Sequence, residues 1–198
     1  MRPTIALLLL AAATLMPAAT HEIRPAGGPI RVDGVLDEPV WAGALRIDRF
    51  YEVDPGDNTE PPVKTTAWFA YDDDYFYAAF RCEDPDPGAI RARYADRDGA
   101  FPDDFIGFQL DPFRDQRSGV EFFVNPLGSQ MDLTVAADGM EDESWDAIWS
   151  SAGRITAGGY EIEIRIPFKS FRYQAAGEQT WQLHLLRRVQ HAGYEDSW

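Results

Sequence analysis

The sequence predicts an all-β protein built as a single antiparallel β-sandwich. Three observations carry that prediction. Strand-like runs recur along the chain between clusters of Gly, Pro and Asp, the punctuation of turns. In Tyr160–Ile166 the residues Tyr160, Ile162, Ile164 and Ile166 alternate with Glu161, Glu163 and Arg165, a period-2 pattern that sets one face on a core and the other in water. No stretch carries the 3.6-residue periodicity of a long helix. Short strands with turn signals at regular intervals are the mark of a sandwich.

Taken in order, Thr65–Tyr71 and Tyr75–Cys82 flank Asp72-Asp73-Asp74 and read as a hairpin. Phe105–Phe113 and Val120–Val124 flank Arg114–Gly119 as a second hairpin, and Gln130–Ala136 follows as a short strand. Gly158-Gly159 opens the alternating strand, and Trp181–Val189 is the final one. The expected core includes Leu36, Trp41, Phe69, Tyr77, Phe108, Leu110, Val124, Ile162, Ile164 and Leu183. No internal repeat, low-complexity tract or interdomain linker interrupts the chain, so residues 20–198 read as one domain.

The stretch DGVLDEPVW, Asp33 to Trp41, places two carboxylates side by side. Asp33-Gly34 is a turn signal, and Pro39 breaks the edge strand that Ile30–Val32 begins. The expectation is a one-turn helical hook pinned by Trp41, with Asp37 capping its free backbone N–H groups. Adjacent carboxylates on one turn cannot flank a scissile bond. The pair Asp37 and Glu38 is therefore read as structural.

Residues 1–19 have the layout of a secretory leader: Arg2, an apolar run from Ile5 to Met16, then small residues. The run is too short to span a bilayer, and no other long apolar run follows. Export to the periplasm, the cell surface or the medium is the expectation, with no membrane insertion by this segment. Removal of the leader leaves about 180 residues, enough for one sizeable core. The single cysteine, Cys82, excludes an internal disulfide. A net charge of −15 lacks the basic stripe that nucleic acid or anionic lipid requires. An acidic, aromatic-rich exported domain points instead to neutral ligands such as sugars, or to calcium.

The segment GVLDEPVW resembles the opening signature of the family 9 carbohydrate-binding modules. TAWFAYDDDYFYAAFRCED, DDFIGFQLDPF and GGYEIEIRIPFKSF resemble further parts of that family in the same order, so that the likeness spans residues 28–198. The resemblance implies a non-catalytic sandwich that binds a glycan or polysaccharide, often joined to enzymes that hydrolyse O-glycosyl bonds. It implies a sugar ring held between two aromatics, at Phe101 and Trp198, with Asn125 reading a hydroxyl. Two departures stand out: Phe101 replaces a tryptophan, and Gly107 stands where the family places an acidic side chain, so a degenerate site is an expected alternative. Trp145 and Trp149 are alternative platforms, with packing on the sandwich edge as the competing role. Calcium is the one cofactor the resemblance suggests, with Asp84, Asp86, Asp111 and Asp132 as structural ligands, although acids of solvated turns look the same in sequence. Asp96-Arg97-Asp98-Gly99 fails as an EF-hand loop, because its first and twelfth positions are Tyr94 and Phe105. His21, His184 and His191 lack zinc-ligand spacing.

DDFIGFQLDPFRDQRSGVEFFVNPLGSQMD and LLRRVQHAGYEDSW also resemble the N-terminal domain of large exported bacterial proteins, in which such a module precedes a long β-barrel-type region. That resemblance implies a continuation beyond Trp198 and offers a second function, an interaction domain of an outer-membrane protein. Two enzymatic or cofactor readings remain in the sequence. A glycosidase could draw its carboxylates from Asp103, Asp104, Asp111, Glu121 and Asp132, although no pair is singled out and no nucleophile or metalloprotease motif occurs. A haem-binding sandwich could use Met131, Met140 or Lys169, without any c-type attachment motif.

Overall fold

The Asp72-Asp73-Asp74 turn shows how locally this fold is specified. Asp72 Oδ1 accepts from the N–H groups of Asp74 (2.9 Å) and Tyr75 (2.7 Å), and Oδ2 accepts from the Tyr77 hydroxyl (2.8 Å). Those bonds close the hairpin between β3 (Thr65–Tyr71) and β4 (Tyr75–Glu83), defined in a computed structural model that describes residues 20–174 and 177–198. The leader assigned to Met1–Ala19 lies outside the described residues.

β3 and β4 belong to a five-stranded sheet with β1 (Leu45–Ile47), β9 (Ser150–Thr156) and β10 (Gly159–Pro167), in the order β1-β3-β4-β10-β9. The facing sheet has seven strands in the order β2-β12-β11-β5-β6-β7-β8. These are β2 (Tyr51–Asp54), β5 (Phe105–Asp111), β6 (Gly119–Val124), β7 (Gln130–Val135), β8 (Glu141–Asp142), β11 (Gln182–Val189) and β12 (Tyr194–Ser197). Every strand pair is antiparallel. The expected antiparallel β-sandwich is the fold observed.

Between the sheets lies the main core, with Phe69, Phe76, Phe80, Phe108 and Phe122 packed at ring spacings near 6 Å. Each ring buries a large apolar area, and edge-to-face contacts add to it. Arg187 is also inside, wholly buried: it leaves β11 to donate to Thr65 Oγ1 (3.0 Å) and to the carbonyl oxygens of Lys64 (3.3 Å) and Glu83 (2.9 Å) on the other sheet. All ten expected core residues pack in apolar clusters, but Leu36, Trp41 and Tyr77 pack on the outer side of the five-stranded sheet. There the segment from Ala26 to Ala44 forms a cover over that sheet.

That cover corrects three expectations. Ile30–Val32 is not a strand. Asp37 is exposed and caps nothing; the adjacent Glu38 pins the turn instead, accepting from Arg31 N–H (3.0 Å) and from Trp41 Nε1 (3.1 Å) at the 3-10 turn Pro39–Ala42. The polar face of β10 does not meet water. Glu163 is fully buried under the Asp33-Gly34 turn, where its Oε2 accepts both backbone N–H groups at 2.9 Å. Glu161 bridges Arg81 (2.9 Å) and Arg154 (2.7 Å).

Strand ends were also shifted by side chains. β5 stops at Asp111, two residues short of Phe113, because the Asp111 carboxylate collects the N–H groups of Phe113 (2.9 Å), Arg114 (2.7 Å) and Gln116 (2.9 Å) and turns the chain. Trp181–Val189 is not the last strand, since β12 follows and pairs with both β11 and β2.

Replacing Trp41 by Ala opens a large cavity under the cover and should cost about 3–5 kcal/mol in denaturant unfolding; a loss under about 1 kcal/mol would contradict the packing. A second expectation concerns pH. Burial raises three carboxyls above their ordinary values, Glu163 and Glu121 up to about 7 and Asp196 up to about 6. Each binds its proton more readily folded than unfolded, so the stability they confer is present below the ordinary carboxyl range and is lost as pH rises through about 6 to 7. The melting temperature should be higher at pH 5.5 than at pH 8, by on the order of 5 °C, with Glu163→Gln flattening part of the difference. A melting temperature that rises with pH would show that these groups are ionised without cost.

Candidate functional site

The outer face of the seven-stranded sheet is partly covered by residues 91–104, and buried acids hold that loop in place. Asp103 accepts from Arg93 N–H (3.1 Å), and Asp104 accepts from Arg91 N–H (3.1 Å) and from the N–H of Gln190. Arg97 donates to Asp132 (2.5 Å), Gln130 (2.8 Å) and the Ala147 carbonyl (2.9 Å). Asn125, fully buried, donates to the Arg93 carbonyl (2.7 Å) and Asp103 (2.9 Å) and accepts from Leu127 N–H (3.1 Å) and Ser129 N–H (2.9 Å). Those four bonds use both donors and both acceptor lone pairs of its amide. The expected hydroxyl reader is therefore a loop anchor with nothing left to offer a ligand.

So anchored, the loop lays Ala95, Ala100 and Phe101 against Phe105, Phe123, Met131 and Leu186. Phe101 sits 5.9 Å from the Phe105 ring and 6.3 Å from Phe123. Gly107 lies beneath them. A Cβ there would fall 2.0 Å from the Phe122 carbonyl oxygen and 2.6 Å from the Phe123 ring, so no side chain fits and an acid at this position is excluded.

Beside this apolar cluster runs a polar row. Strand register sets His184 of β11 opposite Gln109 of β5, Gln109 opposite Glu121 of β6, and Glu121 opposite Leu133 of β7. Directly paired residues share a face, with neighbouring strands about 4.8 Å apart. Among the described residues no hydrogen bond or ion pair engages the side chains of His184, Gln109 or Glu121, whereas Arg188 on the same face is held by Glu195 (2.7 Å). Half-buried, Glu121 has its carboxyl raised to about 7, first by burial and then by repulsion from Glu141. None of these three residues was expected in the binding role; their period-2 spacing on adjacent strands was the available signal.

The expected pair Phe101 and Trp198 does not converge. Trp198 exchanges backbone hydrogen bonds with Leu185 (2.9 and 3.1 Å), so it shares the face of Leu185, which is fully buried in the main core. It packs there and against His21 at a ring spacing of 5.5 Å. Phe101 lies on the other side of the sheet, and one sugar ring cannot lie between them. Trp145 and Trp149 face inward as well, packed on Phe122 at 6.0 and 5.2 Å. Of the two roles weighed for them, packing is the one observed. Tyr94, by contrast, is 84% exposed above a shallow depression of about 370 Å³ floored by Leu127–Gln130.

No family model and no curated protein sequence matches the chain. Solved structures do. A proposed carbohydrate-binding protein from Bacteroides uniformis superposes with a TM-score of 0.60 at 15% identity, covering 79% of this chain and 78% of that one. A family 9 carbohydrate-binding module from Caldicellulosiruptor kristjanssonii in complex with glucose gives a TM-score of 0.55 at 12% identity, covering 88% and 83%. A structure of a family 9 module from the same organism with cellotriose gives 0.54 at 14%, covering 88% and 82%. The fold is that of the family 9 carbohydrate-binding modules.

The remaining acids of this module-like sandwich serve turns and pairs. Asp84 accepts from Asp86 N–H (2.8 Å) and faces His191 (3.5 Å), Asp86 is exposed, Asp111 closes its turn, and Asp132 is held by Arg97 and by Ala147 N–H (2.6 Å). Among the described residues no group of three or more His, Cys, Asp or Glu is placed to hold a metal ion. Of the carboxylates weighed for glycoside hydrolysis, Glu121 and Asp132 lie on opposite faces, and Asp103, Asp104 and Asp111 are occupied by backbone N–H groups. Met131 is enclosed in the apolar cluster, Met140 is 67% exposed, and Lys169 lies in the 3-10 turn Phe168–Ser170.

Asn125→Ala strips the loop of its anchor and leaves several buried groups unpaired, which should cost at least about 2 kcal/mol of stability. Denaturant unfolding checks it; a variant as stable as the parent would restore Asn125 as a residue free for ligand.

Proposed function

We propose that the chain is a non-catalytic carbohydrate-binding module that takes a glycan on the outer face of its seven-stranded sheet. The observation that carries this reading is the row His184, Gln109 and Glu121, polar side chains without partners among the described residues and next to an aromatic cluster. Sugars are bound through apolar contact with their C–H faces together with a few fixed polar groups that read hydroxyls. Phe101, half-exposed at the rim of that cluster, supplies the first, and the row supplies the second. The likeness to a module that holds glucose and one that holds cellotriose supports a gluco-configured ligand. We place the protein outside the cytoplasm, with Met1–Ala19 as its leader, in polysaccharide binding or breakdown.

A second reading has its own observation. With Gly107 unable to carry an acid, and Phe105, Phe123 and Met131 filling the adjoining surface, the face has lost part of what a sugar site uses. On that reading the domain is an interaction module of an outer-membrane protein.

Calorimetric titration with gluco-, manno-, galacto- and xylo-configured oligosaccharides separates the two. Binding near the millimolar scale, about −4 kcal/mol, is expected for one configuration. Phe101→Ala should weaken it severalfold, and Trp198→Ala should leave it unchanged. No heat with any sugar would favour the interaction module, and a loss confined to Trp198→Ala would move the site to the other face.

A further inference from the structure

Most carboxylates around this face are engaged within the fold. Asp111 holds three N–H groups, Asp103 and Asp104 anchor the covering loop, and Glu195 pairs with Arg188 at 2.7 Å. Among the described residues Glu121 has no partner, although it is half-buried. Its carboxylate is therefore free to accept from a ligand that meets this face.

The groups around it are few. β5 presents Gln109 and the engaged Asp111, and β7 presents Leu133 between Met131 and Val135. β8 brings Glu141, opposite Val135. One strand beyond β5, β11 brings Gln182, His184 and the committed Arg188. No ion pair reaches Glu121 from Arg114 or Arg117 in the adjoining loop, nor from any other described cation.

We propose that Glu121 is the specificity residue of this face: as a carboxylate it accepts two neighbouring hydroxyls of a neutral glycan, and binding expels its proton to solvent. This rests on the carbohydrate-binding reading above. Two adjacent sugar hydroxyls present two O–H donors to the two carboxylate oxygens, and charge-assisted bonds of this kind are about twice as strong as neutral ones. Gln109, one strand away, is placed to read the next hydroxyl. An anionic ligand is disfavoured, because Glu141 already repels Glu121 and the chain carries a net charge of −15.

The free carboxyl is raised to about 7, by burial first and by Glu141 second, and that fixes the sign of the pH dependence. At pH 6 about one-tenth of it is ionised, so a ligand that needs the ionised form binds about tenfold more weakly there than at pH 8.

The test is calorimetry with cellotriose and neutral oligosaccharides of the other configurations, from pH 5.5 to 8, in two buffers of different ionisation enthalpy. Expected are an affinity that rises about thirtyfold from pH 5.5 and levels off near pH 8, release of up to one proton, and Glu121→Gln binding at least tenfold more weakly at pH 8 with no pH dependence. Glu141→Gln, a change at the exposed sheet edge, should move the profile to lower pH and keeps the test alive if Glu121→Gln misfolds. Wild-type binding that ignores pH, or Glu121→Gln binding as well as the parent, overturns the role of Glu121 and leaves the carbohydrate reading standing. Binding of no sugar at any pH overturns both, and tighter binding of oligogalacturonate than of the neutral sugars overturns the charge argument.

Discussion

Arg187 crosses the sandwich, and much of the molecule follows from the direction it takes. Its guanidinium reaches Thr65 and two carbonyls of the opposite sheet and lies 5.4 Å over the Tyr160 ring. A charge so enclosed is tolerated only with such partners, and losing them would cost several kcal/mol. Because Arg187 points inward, Leu186 and Arg188 point outward, and so does His184, two residues before Leu186. Backbone pairing passes that alternation to β5, β6 and β12. The same rule that assembles the row His184–Gln109–Glu121 outside puts Trp198 inside.

Each sheet then carries a cover on its outer face, held down by acids. Glu163 and Glu38 fasten the N-terminal segment, while Asp103 and Asp104 fasten the loop over the other sheet. Asp72 and Asp111 close hairpins by the same means. A carboxylate is acceptor-only and can take several N–H groups at once, which suits it to organise irregular backbone. Much of the acidity that suggested calcium in the sequence is thus engaged within the fold. Among the described residues, Glu121, half-buried on the outer face, and Asp196, enclosed beside Arg187, are carboxylates without a hydrogen-bond donor.

What was legible in the sequence followed from short-range rules. The hairpin around Asp72 and the alternation of Tyr160–Ile166 declare themselves through turn chemistry and period 2. β9 did not, because its Ser-Ser-Ala-Gly sequence lacks β-branched residues and is held by pairing with β10. β1, β2 and β8 are too short to carry a pattern. The polar face of β10 was assigned to water because nothing local announces that the Asp33-Gly34 turn, some 130 residues away, lies over Glu163. The site was less legible than the fold. Phe101 lies on the outer face of the seven-stranded sheet, but it, Asn125 and Trp198 were placed by motif alone, and Trp145 and Trp149 by their four-residue spacing. Motif spacing records neither which face a residue takes nor whether its hydrogen bonds are already used.

The central claim is that a glycan meets this protein on the outer face of the seven-stranded sheet. Titration of isotope-labelled protein with cellotriose, followed by NMR through backbone and side-chain signals, addresses it most directly. The account requires perturbations centred on Phe101, Gln109, Glu121 and His184, with Trp198, His21 and the five-stranded sheet unmoved. Perturbations centred on Trp198 and His21, with the polar row silent, would contradict it.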